Sequence, residues 1–351
     1  RSVCPSRLAA GTGLQQAGGA GGVAGARVSD YLNPDMTYSI SAIIPTYNRP
    51  ESLKDCLFSI LDQTLLPDEL IIVDDGDLGG FPMESALSER GVLCTYLKKD
   101  TPGVVESRNE AALIAKGSIL FFLEDDVVLF RDYIEQIVDT FEQDSNDSLA
   151  GVGGIIENDR FRLAHGILRY LPFLVFGVAG IREGKILRSG FSTDYGTTPW
   201  AIREVREVDF LLGGVSAFRK DVFENYRFSN LYRSKGGYGQ GEDKEFSYRV
   251  SKNHRLLINP KARLFHYRAP KSNFDRAIKG RAFILSRYYF FRDSVKRKPL
   301  DWFFFWYALL GYSFYQALVA LFSFKKKEWL RLKGIGCGLL DIAKGSKLDS
   351  I

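Results

Sequence analysis

An apolar run that ends in three consecutive acids most constrains how this chain folds. Residues 117–123 (GSILFFL) have the length of a buried strand, and Glu124, Asp125 and Asp126 follow directly. Carboxylates crowded at a strand end repel one another unless a cation or hydrogen-bond donors neutralise them. Oxygen ligands at the carboxyl edge of a sheet suit a hard divalent metal that carries a phosphorylated substrate. Taken alone, the triplet fits a metal site and a solvated acidic turn equally well.

The segments before the acidic triplet alternate between strand-like and helix-like patterns. Short β-rich runs lie at residues 38–44, 70–73 and 92–97, and helical spacing is found at residues 51–63, 83–90 and 104–116. Strands and helices that alternate at this spacing predict an α/β fold with a Rossmann-like, mostly parallel sheet flanked by helices. Sheets of this kind bind ligands at the carboxyl ends of their strands, which is where the acidic triplet lies.

Polar and aromatic residues follow the first two predicted strands. The first strand leads into Pro45, Thr46, Tyr47, Asn48 and Arg49. In this group, Tyr47 is suited to stack on a base and Asn48 to cap the helix that follows. Asp75, after the second strand, is suited to accept a hydrogen bond from a uracil-like base, and Arg108 to reach a diphosphate. Each also fits an ordinary role as a cap, turn former or surface charge, but their common position at one sheet edge favours a nucleotide site.

The second half of the chain has a less regular pattern. Residues 151–156 indicate a further strand, residues 158–205 are irregular, and the apolar piece at residues 171–181 fits a buried strand or a flap. Gly213 and Gly214 form a pair that allows backbone amides to approach a ligand closely. The paired glycines therefore mark a candidate ligand contact.

An acidic pair and a histidine are further candidates for a functional site. Glu242 and Asp243 follow a glycine-containing loop and begin an amphipathic helix. Carboxylates in a first helical turn often only complement the helix dipole, so the pair fits a structural role as well as a catalytic one. His266 ends a late strand at residues 259–265. A lone histidine is usually not a ligand, although a neutral imidazole suits Mn²⁺ better than Mg²⁺.

Residues 271–351 differ from the rest of the chain in charge and hydropathy. They contain 16 Lys or Arg and 6 Asp or Glu and so carry net +10, whereas the other residues carry net −5. Residues 281–292 mix arginines with aromatics, as an interfacial helix does. Residues 302–324 contain no charge, and as a helix they are long enough to cross a hydrocarbon core of ~30 Å. This combination predicts a membrane surface, rather than nucleic acid, as the partner.

The uncharged run has basic clusters on both sides, at residues 296–298 and 325–327. A single crossing would place one cluster on the non-cytoplasmic side, against the positive-inside tendency. We therefore predict a re-entrant or in-plane helical hairpin at the cytoplasmic face of the cell membrane, or of another biosynthetic membrane, with a single span as the alternative. Membrane association is expected through residues 281–343.

The remaining features limit the compartment and the class of enzyme. The four cysteines are scattered without metal-binding spacing, which predicts free thiols in a reducing compartment. Residues 1–35 include a Gly/Ala-rich stretch without strand or helix period, and we interpret them as a disordered leader or an expression-derived segment. No glycine fingerprint stands between the first strand and the first helix, which argues against an NAD-dependent enzyme.

Two long stretches carry a family resemblance. The runs SAIIPTYNRPESLKDCLFSILDQTLLPDELIIVDDG and PGVVESRNEAALIAKGSILFFLEDD resemble the family 2 glycosyltransferases of the GT-A fold. The resemblance extends over residues 38–270 and implies that Mg²⁺ or Mn²⁺ is held on the diphosphate of a nucleotide sugar. It implies contacts to the base from Tyr47 and Asp75, to the nucleotide from Arg108, to the ribose from Asp125 and to the metal from Asp126. The triplet is Glu-Asp-Asp rather than Asp-x-Asp, so the roles within it stay open.

The resemblance also implies roles for residues in the second half of the chain. Gly213 and Gly214 match a glycine segment beside the donor sugar, Asp243 or else Glu242 matches the general base, and His266 matches a third metal contact. The implied organisation is a nucleotide-sugar-binding half at residues 36–150, an acceptor and catalytic half at residues 151–270, and a basic, aromatic-rich, membrane-associating helical region at residues 271–351.

These inferences predict a metal-dependent, inverting glycosyltransferase of the non-processive type. It would move a sugar, from a UDP-sugar by preference, to a lipid-linked or glycan acceptor at the cytoplasmic membrane face. One alternative is a membrane-bound nucleotide-sugar-binding protein that has lost catalysis. Another is a relative of the processive polysaccharide synthases, which is disfavoured because the sequence lacks their Gln-x-x-Arg-Trp motif and the several helices of a translocation channel.

Overall fold

A nine-stranded sheet organises the chain in the computed structural model, which describes residues 38–145, 148–159, 167–200, 202–232, 241–268 and 276–345. The strands of this sheet are β1 (Ile40–Thr46), β2 (Glu69–Asp74), β3 (Leu93–Lys98), β4 (Ile119–Leu123), β5 (Val127–Leu129), β6 (Leu149–Ile156), β9 (Arg206–Glu207), β10 (Val215–Arg219) and β11 (Arg255–His266). A separate two-stranded sheet pairs β7 (Lys185–Ile186) with β8 (Ser192–Thr193). The proposed leader at residues 1–35 lies outside the described residues.

The helices lie between these strands and after them. They are α1 (Pro50–Leu61), α2 (Glu84–Ser88), α3 (Val104–Ile114), α4 (Tyr133–Glu142), α5 (Ile167–Val175), α6 (Val222–Asn225), α7 (Glu242–Val250), α8 (Arg276–Phe290), α9 (Asp301–Ser323) and α10 (Lys326–Ala343). The predicted strands and helices of the first half are all present, with ends that differ from the prediction by a few residues. The helix predicted at residues 83–90 is shorter than expected.

The sheet is parallel in its first half and mixed in its second. Its strand order is β3-β2-β1-β4-β10-β6-β11-β5, with β9 paired to β11. β1 runs parallel to β2 and β4, and β2 runs parallel to β3. β10 is antiparallel to β4 and β6, and β11 is parallel to β6 but antiparallel to β5. The predicted α/β class is confirmed, and β2 and β4 are fully buried because helices cover both faces of a parallel sheet.

The apolar piece at residues 171–181 was predicted as a strand or a flap, and the strand prediction is wrong. Residues 171–175 belong to α5; this run is continuously apolar, and periodicity alone does not distinguish a buried strand from a helix in such a run. Phe173 packs its ring against Tyr315, with centroids 4.7 Å apart, whereas Leu171 and Val175 are exposed. α5 therefore lies against the later helix α9, while two of its apolar side chains remain exposed.

α8, α9 and α10 form a helical layer. This layer packs on the part of the chain that is built around the nine-stranded sheet, which we call the sheet domain. Gly280 of α8, together with Gly334 and Gly338 of α10, allows the backbones of the two helices to approach closely. One core cluster contains buried side chains of α8 and α9 together with Phe191 and Tyr248 of the sheet domain. The helix predicted at residues 281–292 corresponds to α8, whose apolar side chains are mostly buried inside this layer.

The uncharged run at residues 302–324 forms a single unbroken helix, α9, and not a hairpin within the run. The chain turns only at Phe324, which has a φ of 53°, and α10 then begins. Within the described residues, α9 is the one helix that is long and apolar enough to cross a membrane by length and composition. The hairpin that does exist is formed by α9 and α10.

Candidate active site

The end of β11 is brought next to the acidic triplet by strand pairing. β5 begins directly after the triplet and pairs with β11, so that His266 lies opposite Val127. His266 Nε2 is 2.9 Å from Glu124 Oε2 and 3.0 Å from Asp126 Oδ1. The sequence predicted Asp126 and His266 as metal contacts, and the fold places both in one cluster with Glu124.

Glu124, Asp126 and His266 fit a divalent cation. Their candidate ligand atoms, one from each residue, all lie within 4.8 Å of one another. Two carboxylates and one imidazole are a donor set that Mn²⁺ accepts readily and that also suits Mg²⁺ in part. Burial lowers the pKa of His266, but its hydrogen bonds with Asp126 and Glu124 raise that pKa to about 9. The imidazole proton therefore compensates the two carboxylates when a cation does not.

Glu124 is the residue of the candidate metal site to which the sequence assigned no role. The triplet lies in the tight connection between β4 and β5. His266 contacts Glu124 and Asp126 there, whereas Asp125 contacts Thr46 and Arg49. Gly214 leaves room for the Glu124 side chain, which a Cβ at that position would contact.

Asp125 is held by the loop that follows β1. Thr46 Oγ1 donates a hydrogen bond to Asp125 Oδ2 over 2.7 Å, and Arg49 Nη1 lies 2.9 Å from Asp125 Oδ1. Burial raises the pKa of Asp125, although Arg49 and Thr46 act in the opposite direction. Thr46 and Arg49, which were predicted as nucleotide contacts, thus also fix the conformation of the triplet.

A cavity of about 270 Å³ opens between the β1 loop, the triplet and α3. Of the residues predicted to contact the donor nucleotide, those that line it are Pro45, Thr46, Tyr47, Arg49, Asp75, Arg108 and Asp125. The ring of Tyr47 is 47% exposed, which leaves it accessible for stacking. Asp75 accepts hydrogen bonds from Gly103 N and Ser107 Oγ, at 3.0 and 2.7 Å. Asp75 therefore also fixes the start of α3.

Among the residues predicted to contact the donor nucleotide, Asn48 is the one that does not line the cavity. The prediction that Asn48 caps the following helix is wrong, since α1 begins at Pro50 and Asn48 lies one residue too early. Asn48 has a φ of 53°, and its side-chain oxygen accepts a hydrogen bond from Asp77 N over 2.8 Å. It therefore stabilises the turn after β2, on the other side of the cavity wall.

A second cavity, of about 440 Å³, adjoins the first. Glu124, His266 and Arg268 line both, so the candidate metal site lies where the two cavities meet. Glu242 lines only the first cavity and Asp243 only the second. Two adjacent acids in the first turn of α7 thus face different compartments of one cleft.

Asp243 is held in a fixed position at the start of α7. Gly213 N donates a hydrogen bond to Asp243 Oδ2 over 2.9 Å, and Lys244 N donates one to Oδ1 over 2.8 Å. A Cβ on Gly213 would lie 2.8 Å from Asp243 Cβ and 2.9 Å from Arg108 Nη1, so glycine is required at this position. Arg108 is buried and lies 3.2 Å from Glu242 Oε1.

The arrangement of the site agrees with the comparison with known families. The family model described as glycosyl transferase family 2 matches residues 41–227, which is more than half of the chain. The chain belongs to glycosyl transferase family 2. The matched range contains the β1 loop, the triplet and the paired glycines, and it ends before Asp243 and His266, which the fold adds to the same cleft.

Individual relatives match shorter stretches. The glucosyl-dolichyl phosphate glucuronosyltransferase of Haloferax volcanii is 30% identical over 123 residues, which are 34% of this chain and 39% of the relative. An uncharacterized glycosyltransferase of Haemophilus influenzae is 34% identical over 108 residues, which are 30% of this chain and 36% of the relative. The chain thus spans well under half the length of the curated relatives it matches.

A solved structure supports the fold. The structure of GalNAc-T7 with UDP, GalNAc and Mn²⁺ shares 16% identity and a TM-score of 0.50, and the match covers 72% of this chain and 50% of that chain. This likeness confirms the predicted GT-A fold.

The second cavity of this family 2 chain contains residues that the sequence did not single out. Lys244 is buried, and its Nζ lies 2.6 and 2.8 Å from the carboxylate oxygens of Asp194. Asp194 and Tyr195 line the cavity and belong to the region where the sequence showed no regular pattern. Burial raises the pKa of Asp194, but Lys244, Arg287 and Ser192 together outweigh burial, so the net shift of the pKa is downward. The ion pair joins this region to α7 beside Asp243.

Glu242 should make the stability of the folded chain depend on pH. Burial and the nearby Asp243 carboxylate, opposed by Arg108, raise the pKa of Glu242 from 4.5 to about 7. Because the folded state binds this proton more tightly, the contribution is fully present below pH 4.5 and is lost as the pH rises through 7. We expect the loss to approach about 3 kcal/mol. Thermal unfolding at pH 5 and pH 8 should show a smaller difference for Glu242→Gln than for the parent chain, and equal differences would contradict the assignment.

Proposed function

We propose that the chain is an inverting glycosyltransferase that transfers a sugar from a nucleoside-diphosphate sugar to an acceptor hydroxyl. The observation that carries this proposal is the division of the cleft. A cavity lined by an exposed tyrosine and three arginines meets a second cavity lined by Asp243, and the candidate metal site lies at their junction. In this arrangement the first cavity would hold the donor, the second would hold the acceptor, and the reacting bond would lie at their junction.

The first cavity suits the donor nucleotide, with a UDP-sugar favoured. Tyr47 is accessible to stack on the base, and Asp75 lies in the same wall. Arg49 and Arg108 supply positive charge for the diphosphate. We assign residues 36–150 as the nucleotide-sugar-binding half and residues 151–270 as the acceptor and catalytic half.

Glu124, Asp126 and His266 would hold Mn²⁺ or Mg²⁺. Their oxygen and nitrogen atoms converge, and their two carboxylates supply the negative charge that a divalent cation neutralises. Such a cation supplies compensation for the charge that develops on the leaving nucleoside diphosphate.

Asp243 is the proposed general base. As the acceptor hydroxyl oxygen bonds to the anomeric carbon, its proton passes to the Asp243 carboxylate. The bond from the anomeric carbon to the diphosphate breaks at the same time, and its electron pair leaves on the phosphate oxygen. Because this is one displacement from the opposite face, the configuration at the anomeric carbon inverts. The hydrogen bonds from Gly213 N and Lys244 N keep the carboxylate at the edge of the second cavity.

We propose a lipid-linked or glycan acceptor at the cytoplasmic face of a biosynthetic membrane, with membrane contact through residues 281–343. The Haloferax volcanii relative is named as a glucuronosyltransferase of glucosyl-dolichyl phosphate, which supports a lipid-linked acceptor. The basic flanks and the apolar surface of α9 support the membrane contact.

A thermal-shift screen of nucleoside diphosphates and nucleotide sugars with Mn²⁺ tests the donor assignment. A nucleotide at 100 times its Kd should stabilise the fold by about 2.7 kcal/mol, which raises Tm by a few degrees. The shift should shrink on chelation and in Tyr47→Ala, whose exposed ring is not part of the core. If no nucleotide raises Tm with Mn²⁺ present, the first cavity is not a donor site.

A further inference from the structure

α9 has two apolar faces. One packs on the protein, and the opposite one is exposed apart from a ring contact of Tyr307 with Phe176, whose centroids are 5.6 Å apart. The buried face consists of Phe305, Ala308, Leu309, Tyr312, Gln316 and Ala320. The opposite face, which we call the α9 stripe, consists of Phe303, Tyr307, Leu310, Phe314, Leu318 and Leu321, all exposed. These residues recur every three or four positions, so they form one continuous line along the helix. The stripe contains no charged residue over about five turns.

α9 is fixed to the rest of the molecule along its length. At its start, Arg188 Nε is 2.5 Å from Asp301 Oδ1, and the Arg188 guanidinium lies 4.4 Å from the Phe304 ring centre. Near its middle, Arg331 of α10 donates a hydrogen bond to the Tyr312 hydroxyl over 3.0 Å. The orientation of α9 therefore determines the orientation of the whole sheet domain relative to anything that the stripe contacts.

The packing of α9 argues against a transmembrane orientation. The helices α8 and α10 lie on its buried face and are joined by a partly exposed ion pair, with Arg281 Nε 2.5 Å from Asp341 Oδ2. If α9 crossed a bilayer, these neighbours and their charges would have to enter the hydrocarbon with it, which is unfavourable. A helix that lies in the membrane plane needs to bury only its exposed stripe.

The charges at the two ends of α9 indicate what the stripe contacts. The clusters at residues 296–298 and 325–327 are exposed and basic, and α9 separates them by about 35 Å. In the membrane plane, both clusters meet headgroups of the same leaflet. Trp306 lies beside the stripe and Trp329 follows the second cluster, both partly exposed, and such rings are enriched at the membrane interface.

We propose that the α9 stripe docks in the interfacial zone of an anionic bilayer, with α9 parallel to the membrane plane. This inference rests on the membrane association proposed above and specifies its surface, its lipid class and its orientation. The stripe enters the region between headgroups and acyl chains, and the two lysine- and arginine-containing clusters contact anionic headgroups. The sheet domain is thereby held at one height and one tilt above the membrane.

Vesicle flotation of the full chain tests the surface and the lipid class. The parent chain should bind vesicles of phosphatidylcholine with phosphatidylglycerol more tightly than vesicles of phosphatidylcholine alone. The double variant Leu310→Glu, Phe314→Glu should lose about tenfold or more of this binding. Leu113→Glu, on the exposed side of α3, is the matched control and should bind as the parent does. Nucleotide-induced thermal stabilisation should persist in the double variant, so failure of docking and failure of the donor site are distinguishable.

Two outcomes of this experiment would overturn the proposal. One is unchanged binding of the double variant to anionic vesicles. The other is a parent chain that is a dimer without vesicles and becomes a monomer in the double variant, because the stripe would then be an interface between copies.

Depth measurements test the orientation of α9. Single labels at Phe303→Cys, Leu310→Cys and Leu321→Cys, in a background with serine at Cys4, Cys94 and Cys337, would carry an environment-sensitive fluorophore. Lipids with nitroxides at defined depths should quench all three labels equally, near the headgroup boundary. A label at position 310 that is quenched mainly from the bilayer centre, with shallow labels at both ends, would show that α9 crosses the membrane and that the in-plane assignment is wrong.

Discussion

Asp243→Asn should lower kcat by about 10³-fold while leaving the affinity for nucleoside diphosphate within about twofold. The amide keeps the size of the carboxylate and can still accept the hydrogen bond from Gly213 N or from Lys244 N, but it cannot take a proton from the acceptor. The binding of nucleotide should be spared because Asp243 lines the second cavity and not the first. The measurement is transfer from a nucleotide sugar together with calorimetry of nucleoside diphosphate.

Comparing Glu242→Gln with Asp243→Asn tests which of the two acids is the general base. Glu242 lies one residue away and faces the nucleotide cavity beside Arg108, so its loss should alter donor affinity more than kcat. If Glu242→Gln proves the more damaging to kcat, the general base is Glu242. If the parent chain itself transfers no sugar from any donor that it binds, the chain is a nucleotide-sugar-binding protein without catalysis.

Asp126→Ala should weaken metal-dependent binding of nucleoside diphosphate by about 100-fold or more. Loss of a residue that only supports a metal ligand typically costs 10–100-fold in metal affinity, so loss of a ligand should cost at least as much. The remaining pair, Glu124 and His266, would carry one carboxylate instead of two at the junction of the cavities. Bound and free Mn²⁺ can be counted by electron paramagnetic resonance, and nucleotide affinity by calorimetry with and without Mn²⁺.

The matched control for the metal site is Asp77→Ala. Asp77 belongs to the turn after β2, and its side chain is 90% exposed. The Asp77→Ala variant should bind Mn²⁺ and nucleotide as tightly as the parent chain does. Unchanged Mn²⁺ binding in Asp126→Ala would show that Asp126 is not a metal ligand. If that variant also lost nucleotide binding, Asp126 would contact the nucleotide directly.

The candidate site was predictable where its residues follow strand ends. Thr46, Asp75 and Asp126 each come directly after an apolar run or one to two residues later, and parallel strands bring such ends to one edge. The prediction of Asn48 as a helix cap was wrong because its side chain instead accepts a hydrogen bond from Asp77 N, which is 29 residues away. Asp194 and Lys244 were not found because their ion pair joins an irregular segment to α7, and no local pattern encodes such a contact.

The sequence by itself determined the α/β class and the order of strands and helices in the first half, because hydrophobic periodicity and turn chemistry are local properties of the chain. The family was indicated by the resemblance of two long stretches of the sequence. The tertiary structure decided which acidic side chains lie in the same cluster or line the same cavity. The pairing of β5 with β11 completes the cluster of Glu124, Asp126 and His266, and the start of α7 divides Glu242 and Asp243 between two cavities. It also decided which face of the uncharged helix α9 is exposed, because that depends on packing against α8 and α10 and not on composition.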